Sequence, residues 1–150
     1  MNHRKIILCG MMGSGKSTVG RLMACYLDWD FVDIDELIVK TAGKLISTIF
    51  EEDGAERFRE MESRLLAEAM EKHPHSVIAP GGGAVVLSEN YEVMQKGGVL
   101  VLLKASSETL AERLKDVDDR PLLLKGDGVK TRIDEILARR EWIYEQIPVQ

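Results

Sequence analysis

The chain has 150 residues, 45% hydrophobic and 30% charged, with a formal net charge of −5. That length supports a single domain with its own core, without disulfides or a structural metal. The acidic balance argues against nucleic acid as a partner, and the lack of an apolar run of spanning length or of room for a signal peptide points to a cytoplasmic protein without membrane contact, expected as a monomer.

Residues 5–9, Lys-Ile-Ile-Leu-Cys, read as a strand buried on both faces of a parallel sheet. Residues 10–17, Gly-Met-Met-Gly-Ser-Gly-Lys-Ser, fit G-x-x-x-x-G-K-S, a phosphate-binding loop. Gly10, Gly13 and Gly15 let backbone N–H groups turn inward around a phosphate chain. Lys16 reaches the outer phosphates, the Ser17 hydroxyl holds a magnesium ion, and Ser14 and Thr18 complete the nucleotide-binding set. A helix over residues 16–27, with Val19, Leu22, Met23 and Tyr26 at helical spacing, places the phosphates at a helix N-terminus, where free N–H groups and the dipole favour anions. The expected ligand is ATP or GTP with Mg2+.

A second strand follows over residues 30–33, then a short helix over 35–40 and a longer one over 54–72. Residues 76–79 form a third strand, stopped by Pro80 and Gly81-Gly82-Gly83. Residues 98–104 form a fourth. Ser106 or Ser107 caps a helix running through Leu110, Arg113 and Leu114. Residues 116–127 are irregular, and a last helix carries Ile133, Ile136, Leu137 and Arg140 toward Pro148. Strands alternating with helices, with no linker or repeat, predict an α/β fold with a parallel sheet. Cys9 and Cys25 lack metal or redox spacing and are read as buried apolar residues, and Trp29 and Trp142 as packing residues.

Ligands of open parallel sheets bind beyond the carboxyl ends of the strands, and Asp33 and Asp35 fall there. Two apart in extended chain, they would project to one side, one steadying the metal's water shell and the other accepting a hydrogen bond or proton from an attacking hydroxyl. Capping of the next helix is the alternative for one of them. Three consecutive glycines cost backbone entropy that a plain turn does not require, so either a ligand approaches closely or the loop is flexible. In the 54–72 helix, Phe58, Met61, Leu65 and Ala69 mark an apolar stripe with Glu62 close to it. A carboxylate there needs a partner, which Arg59 supplies while keeping part of its fork for a substrate carboxylate; a weak exposed ion pair is the alternative. Arg120, Pro121 and residues 122–124, all leucine, read as a lid that excludes water and neutralises phosphoryl charge, or else as a surface connection.

Taken together, the phosphate loop, Asp33-Ile34-Asp35, Phe58-Arg59 with Glu62, Gly81-Gly82-Gly83-Ala84, Arg120-Pro121-Leu122-Leu123 and Arg140 resemble the shikimate kinase family of P-loop proteins across essentially the whole chain. The resemblance implies a three-layer αβα fold with strand order 2-3-1-4-5, and transfer of the ATP γ-phosphoryl group to the 3-hydroxyl of shikimate in aromatic amino acid biosynthesis. It implies Asp35 at the accepting hydroxyl, Arg59 and Arg140 at the substrate carboxylate, Gly81, Gly82 and Gly83 at the ring hydroxyls, and Glu62 orienting Arg59. It also implies Asp33 on magnesium through water, Arg113 near adenine, and Lys16, Asp35 and Arg120 as the catalytic residues. Relatives continue past the position of Gln150 with a fifth strand, an adenine-contacting loop and a final helix, so either this chain is a trimmed piece or the protein dispenses with part of the nucleotide pocket; reduced stability and loose adenine binding are expected of these 150 residues. A gluconate-type kinase and a nucleotide-binding module without catalysis are the rival readings.

Overall fold

The computed structural model describes residues 4–115 and 128–150. The segment expected as a lid, with Arg120, lies outside them. The chain runs β1 (Arg4–Cys9), α1 (Lys16–Leu27), β2 (Asp30–Asp33), α2 (Ile34–Ala42), α3 (Ile46–Glu52), α4 (Gly54–Lys72), β3 (His75–Ala79), a 3₁₀ turn (Ala84–Val86), α5 (Ser88–Gly97), β4 (Val99–Leu102), α6 (Ser107–Leu114) and α7 (Val129–Tyr144). Among the described residues the sheet has four strands in the order β2-β3-β1-β4, every pair parallel. This is the expected order without its fifth member. Val149 nevertheless bridges Val101 in parallel, and its carbonyl accepts from the Leu102 N–H at 2.7 Å. The outer edge of β4 is therefore met by a single bridge from the last residues of the chain.

Alternating residues of each strand face opposite layers. Leu8 and Val77 pack with Ala24 of α1 on one side. Ile7, Cys9, Val32, Ile78, Leu100 and Leu102 pack on the other with residues of α2, α3, α4, α5 and α7. A third cluster joins Met11 to Leu110 and Leu114 of α6 and Ile133 and Ile136 of α7. Helices thus cover both faces, which is why the strands carry near-continuous apolar runs. Among the described residues no helix is long and apolar enough to cross a membrane.

Several expectations need correction. In α1 the buried positions are Gly20 and Ala24, whereas Leu22 is 68% and Tyr26 91% exposed. Small residues face the sheet because Phe31 lies where a Gly20 Cβ would stand, and this turns Leu22 and Tyr26 outward. Cys25 is exposed with them, unlike buried Cys9. Trp142 is also largely exposed, while Trp29 stacks near His75. The fourth strand is shorter than residues 98–104, and helices α3 and α5 were not foreseen. Ser106, not Ser107, caps α6, its side chain accepting from the Thr109 N–H.

Ile78 lies in β3 between β1 and β2 and is fully buried. Ile78→Ala should cost about 2–5 kcal/mol through lost burial and the cavity left behind, read as a lower urea midpoint at unchanged slope.

Candidate active site

The loop between β1 and α1 forms the floor of the site. Gly13 and Gly15 adopt φ of 80° and 99°, a left-handed conformation that glycine takes without steric cost. The Lys16 ammonium donates to the carbonyls of Gly10 at 2.8 Å and Met11 at 3.0 Å. Burial lowers its pKa to about 8; nearby Asp35 pushes it back up, and Arg140 lowers it further. The buried Ser14 hydroxyl has no partner among the described residues. Arg113, reaching across from α6, donates to the Gly13 carbonyl at 2.8 Å. A cavity of about 560 Å³ is lined by residues 12–19 together with Asp33, Asp35, Ala79, Pro80, Gly82 and Arg113. Phosphate loop, acidic pair and glycine loop therefore share one space.

Asp33 and Asp35 are not two steps along extended chain as expected. Asp33 ends β2, and Asp35 sits in the first turn of α2. Asp33 takes the capping role considered for one of the pair, and it also meets the phosphate loop. Its Oδ1 accepts from the Glu36 N–H at 3.2 Å and caps α2, and its Oδ2 accepts from the Ser17 hydroxyl at 2.5 Å. This adjoining pair of hard oxygen donors fits Mg2+, which binds few protein oxygens and takes its remaining ligands from phosphates and water. Among the described residues there is no group of three or more His, Cys, Asp or Glu that could hold a metal ion.

The other half of the site is built around the three glycines. A Cβ on Gly81 would run into Glu62 Oε2 and stand 3.1 Å from Asp35 Oδ1. One on Gly82 would lie 3.2 Å from both Arg140 Nη1 and the Met12 backbone nitrogen, and one on Gly83 2.9 Å from Arg59 Nη2 and 3.1 Å from Arg140 Nη2. Close approach of the protein's own charged side chains, a reason not among those considered from the sequence, accounts for the glycine run. Two carboxylates and two guanidiniums from α2, α4 and α7 converge there because no side chain occupies the space.

Glu62 is 1% exposed, which overturns the reading of an exposed pair. Its Oε1 accepts from Arg59 Nη1 at 2.7 Å, and its Oε2 has no partner among the described residues. Burial pushes its carboxyl up, and Arg59 opposes that shift. Arg59 also lies over the Phe58 ring, 5.2 Å from the centroid. Breaking a buried pair of this kind costs about 3–5 kcal/mol, because a desolvated charge is left behind. Arg140 is 6% exposed and donates to Met11 Sδ at 3.6 Å. A smaller cavity of about 250 Å³ is lined by Arg59, Gly83, Arg139 and Arg140 among others.

Two buried polar side chains near the glycine loop went unnoticed in the sequence. Asn90 of α5 donates to the Ala84 carbonyl at 3.1 Å, and the Tyr144 hydroxyl donates to the Gly82 carbonyl at 3.3 Å. Tyr144 stands one helical turn after Arg140, and that spacing was the available signal.

A phosphate loop between a buried parallel strand and a helix, opening into a cavity with an acidic pair and a second, arginine-rich half, defines a P-loop phosphotransferase acting on a small anionic acceptor. The shikimate kinase family model matches residues 12–149. The shikimate kinase of Thermodesulfovibrio yellowstonii is 43% identical over 143 residues, 95% of this chain and 82% of that protein. The Neisseria gonorrhoeae shikimate kinase is 43% identical over 142 residues, with the same shares. Among solved structures, shikimate kinase from Acinetobacter baumannii in complex with shikimate superimposes with a TM-score of 0.91 at 33% identity, over 96% of this chain and 79% of that one. The chain belongs to the shikimate kinase family, whose members are ATP-dependent phosphotransferases with an alcohol acceptor and use Mg2+.

The position of Lys16 sets a pH dependence. Its cation is complete below about pH 8 and is lost as the pH rises through that value. The kcat/KM for ATP, which reports the free enzyme, should therefore fall by about one decade per pH unit above it, while kcat holds to higher pH because a bound triphosphate favours the charged lysine. Parallel pH profiles of the two constants check this.

Proposed function

We propose that the chain transfers the γ-phosphoryl group of ATP to the 3-hydroxyl of shikimate, giving shikimate 3-phosphate and ADP, in the route to the aromatic amino acids. The observation that carries this reading is the convergence of Asp35, Glu62, Arg59 and Arg140 on Gly81, Gly82 and Gly83 beside the phosphate-loop cavity. Such a chamber suits a small ring carrying hydroxyls and one carboxylate. The relative from Acinetobacter baumannii, solved with shikimate, supports the choice of acceptor.

In this mechanism the two arginines grip the carboxylate through charge-assisted forks, and Glu62 fixes the direction of Arg59 without filling all its donors. The glycines let the ring lie against the backbone. Asp35 accepts a hydrogen bond from the 3-hydroxyl and takes its proton as that oxygen bonds to the γ-phosphorus. The bond from the γ-phosphorus to the β,γ-bridging oxygen breaks, and ADP leaves. Residues 10–18, with Gly10, Gly13, Ser14, Gly15, Lys16 and Thr18 prominent, cradle the phosphates, and Arg113 flanks the base. Ser17, and Asp33 through water, would hold Mg2+, which supplies charge neutralisation on the phosphates. On sequence grounds Arg120 neutralises the transferring group from a lid over residues 116–127, α4 is the substrate-binding helix, and the whole chain works as one kinase domain.

ADP release in a coupled assay should require shikimate and stay at background with gluconate, AMP or no acceptor. Turnover of gluconate or AMP in place of shikimate, or silence with every acceptor, overturns the reading. Asp35→Asn should lower kcat by ~10²–10⁴-fold while ATP binding, followed by titration, stays near that of the parent.

A further inference from the structure

Arg59 and Arg140 are aimed by different means. Arg59 is held by the buried carboxylate of Glu62, which spends part of its charge. Arg140 is as deeply placed as Tyr144 beside it, the two being 6% and 8% exposed, yet among the described residues it is paired with no carboxylate. Its hydrogen bond goes to Met11 Sδ, and Tyr144 follows it by one turn of α7, so that both side chains lie against Gly82. Tyr144 in turn donates its own proton to the Gly82 carbonyl at 3.3 Å. The phenol thus holds the same glycine against which Arg140 lies, since a Cβ on Gly82 would stand 3.2 Å from Arg140 Nη1. Because the peptide bonds are trans, the Gly83 N–H projects to the side opposite the Gly82 carbonyl. Holding that carbonyl toward Tyr144 therefore turns the N–H away from it.

We propose that Tyr144 is a positioning residue for the acceptor carboxylate: its hydroxyl holds the Gly82–Gly83 peptide against which the Arg140 fork lies, without setting a further carboxylate beside that guanidinium. The proposal rests on the reading that Arg59 and Arg140 bind a carboxylate. A neutral side chain is what this position requires, since an acidic one in place of Tyr144 would neutralise the guanidinium. A phenylalanine would pack equally well but leave the Gly82 carbonyl without its partner, and the peptide beside Arg140 without its hold. Tyr144 acts through Arg140 and the loop, not on the reacting atoms, so its signature is in acceptor affinity.

Tyr144→Phe removes only the hydroxyl. The test compares Tyr144→Phe with the parent enzyme in KM and calorimetric Kd for shikimate and for its methyl ester, KM for ATP, kcat and melting temperature. The expected result is about five- to twentyfold weaker shikimate binding, less than about twofold change for the ester and for ATP, and kcat kept within about twofold. Unchanged shikimate affinity overturns the proposal. Equal weakening of acid and ester, with a lower melting temperature, overturns it too by reducing Tyr144 to a structural residue. If the parent enzyme binds the ester as tightly as the acid, the carboxylate reading itself fails, whatever Tyr144→Phe does, and the proposal falls with it.

Discussion

Space at one bend of backbone governs the glycine-loop half of the site. Asp35 from α2, Arg59 and Glu62 from α4 and Arg140 from α7 have to reach a common point next to the phosphate loop, and β3 delivers its chain end to that point. A Cβ at any of the three glycines would stand within about van der Waals contact of a charged group or closer. Each glycine gives up conformational freedom on folding, and the return is a chamber walled by charges. The parallel sheet makes this economical. The carboxyl ends of β1, β2 and β3 all open on the same side, so phosphate loop, acidic pair and glycine loop arrive as neighbours without long connections.

Gathering these charges has an electrostatic cost that the surrounding residues share. Glu62 lies deep enough for burial to raise its pKa, and Arg59 draws it back. Lys16 is lowered by its own burial and by Arg140, and supported by Asp35. The acidic and basic groups are thus interdependent across the two halves of the site: Arg140 bears on both Glu62 and Lys16, and its removal would shift the balance at each. Water exclusion strengthens such interactions, which is how a small chamber can stabilise charge that develops during phosphoryl transfer.

Much of this was legible before any coordinates, for identifiable reasons. The phosphate loop declares itself because backbone geometry, cation and hydroxyl occur at fixed spacing. The buried strands declare themselves by apolar runs. Glu62 and Arg59 could be paired from helical periodicity, but their burial could not, since it depends on what α2, α3 and the glycine loop place over them. Helix α1 misled because small residues, not large ones, face the sheet; Gly20 and Ala24 carry no hydrophobic signal as strong as Leu22 and Tyr26. Helix α3 is short, and α5 buries only Asn90 and Met94, leaving too little periodicity to detect. Tyr144 and Asn90 escaped because their partners are main-chain carbonyls, which every sequence possesses and none advertises.

The two oxygens of Asp33 serve separate masters. One is committed to the first turn of α2, the other to the phosphate-loop serine. Whatever exchange occurs at the second oxygen as nucleotide comes and goes, the first keeps the helix anchored, and Asp35 rides on that same first turn. The Asp35 carboxylate is consequently referenced to the scaffold and not to whatever fills the cavity, so its aim outlasts the cavity's contents.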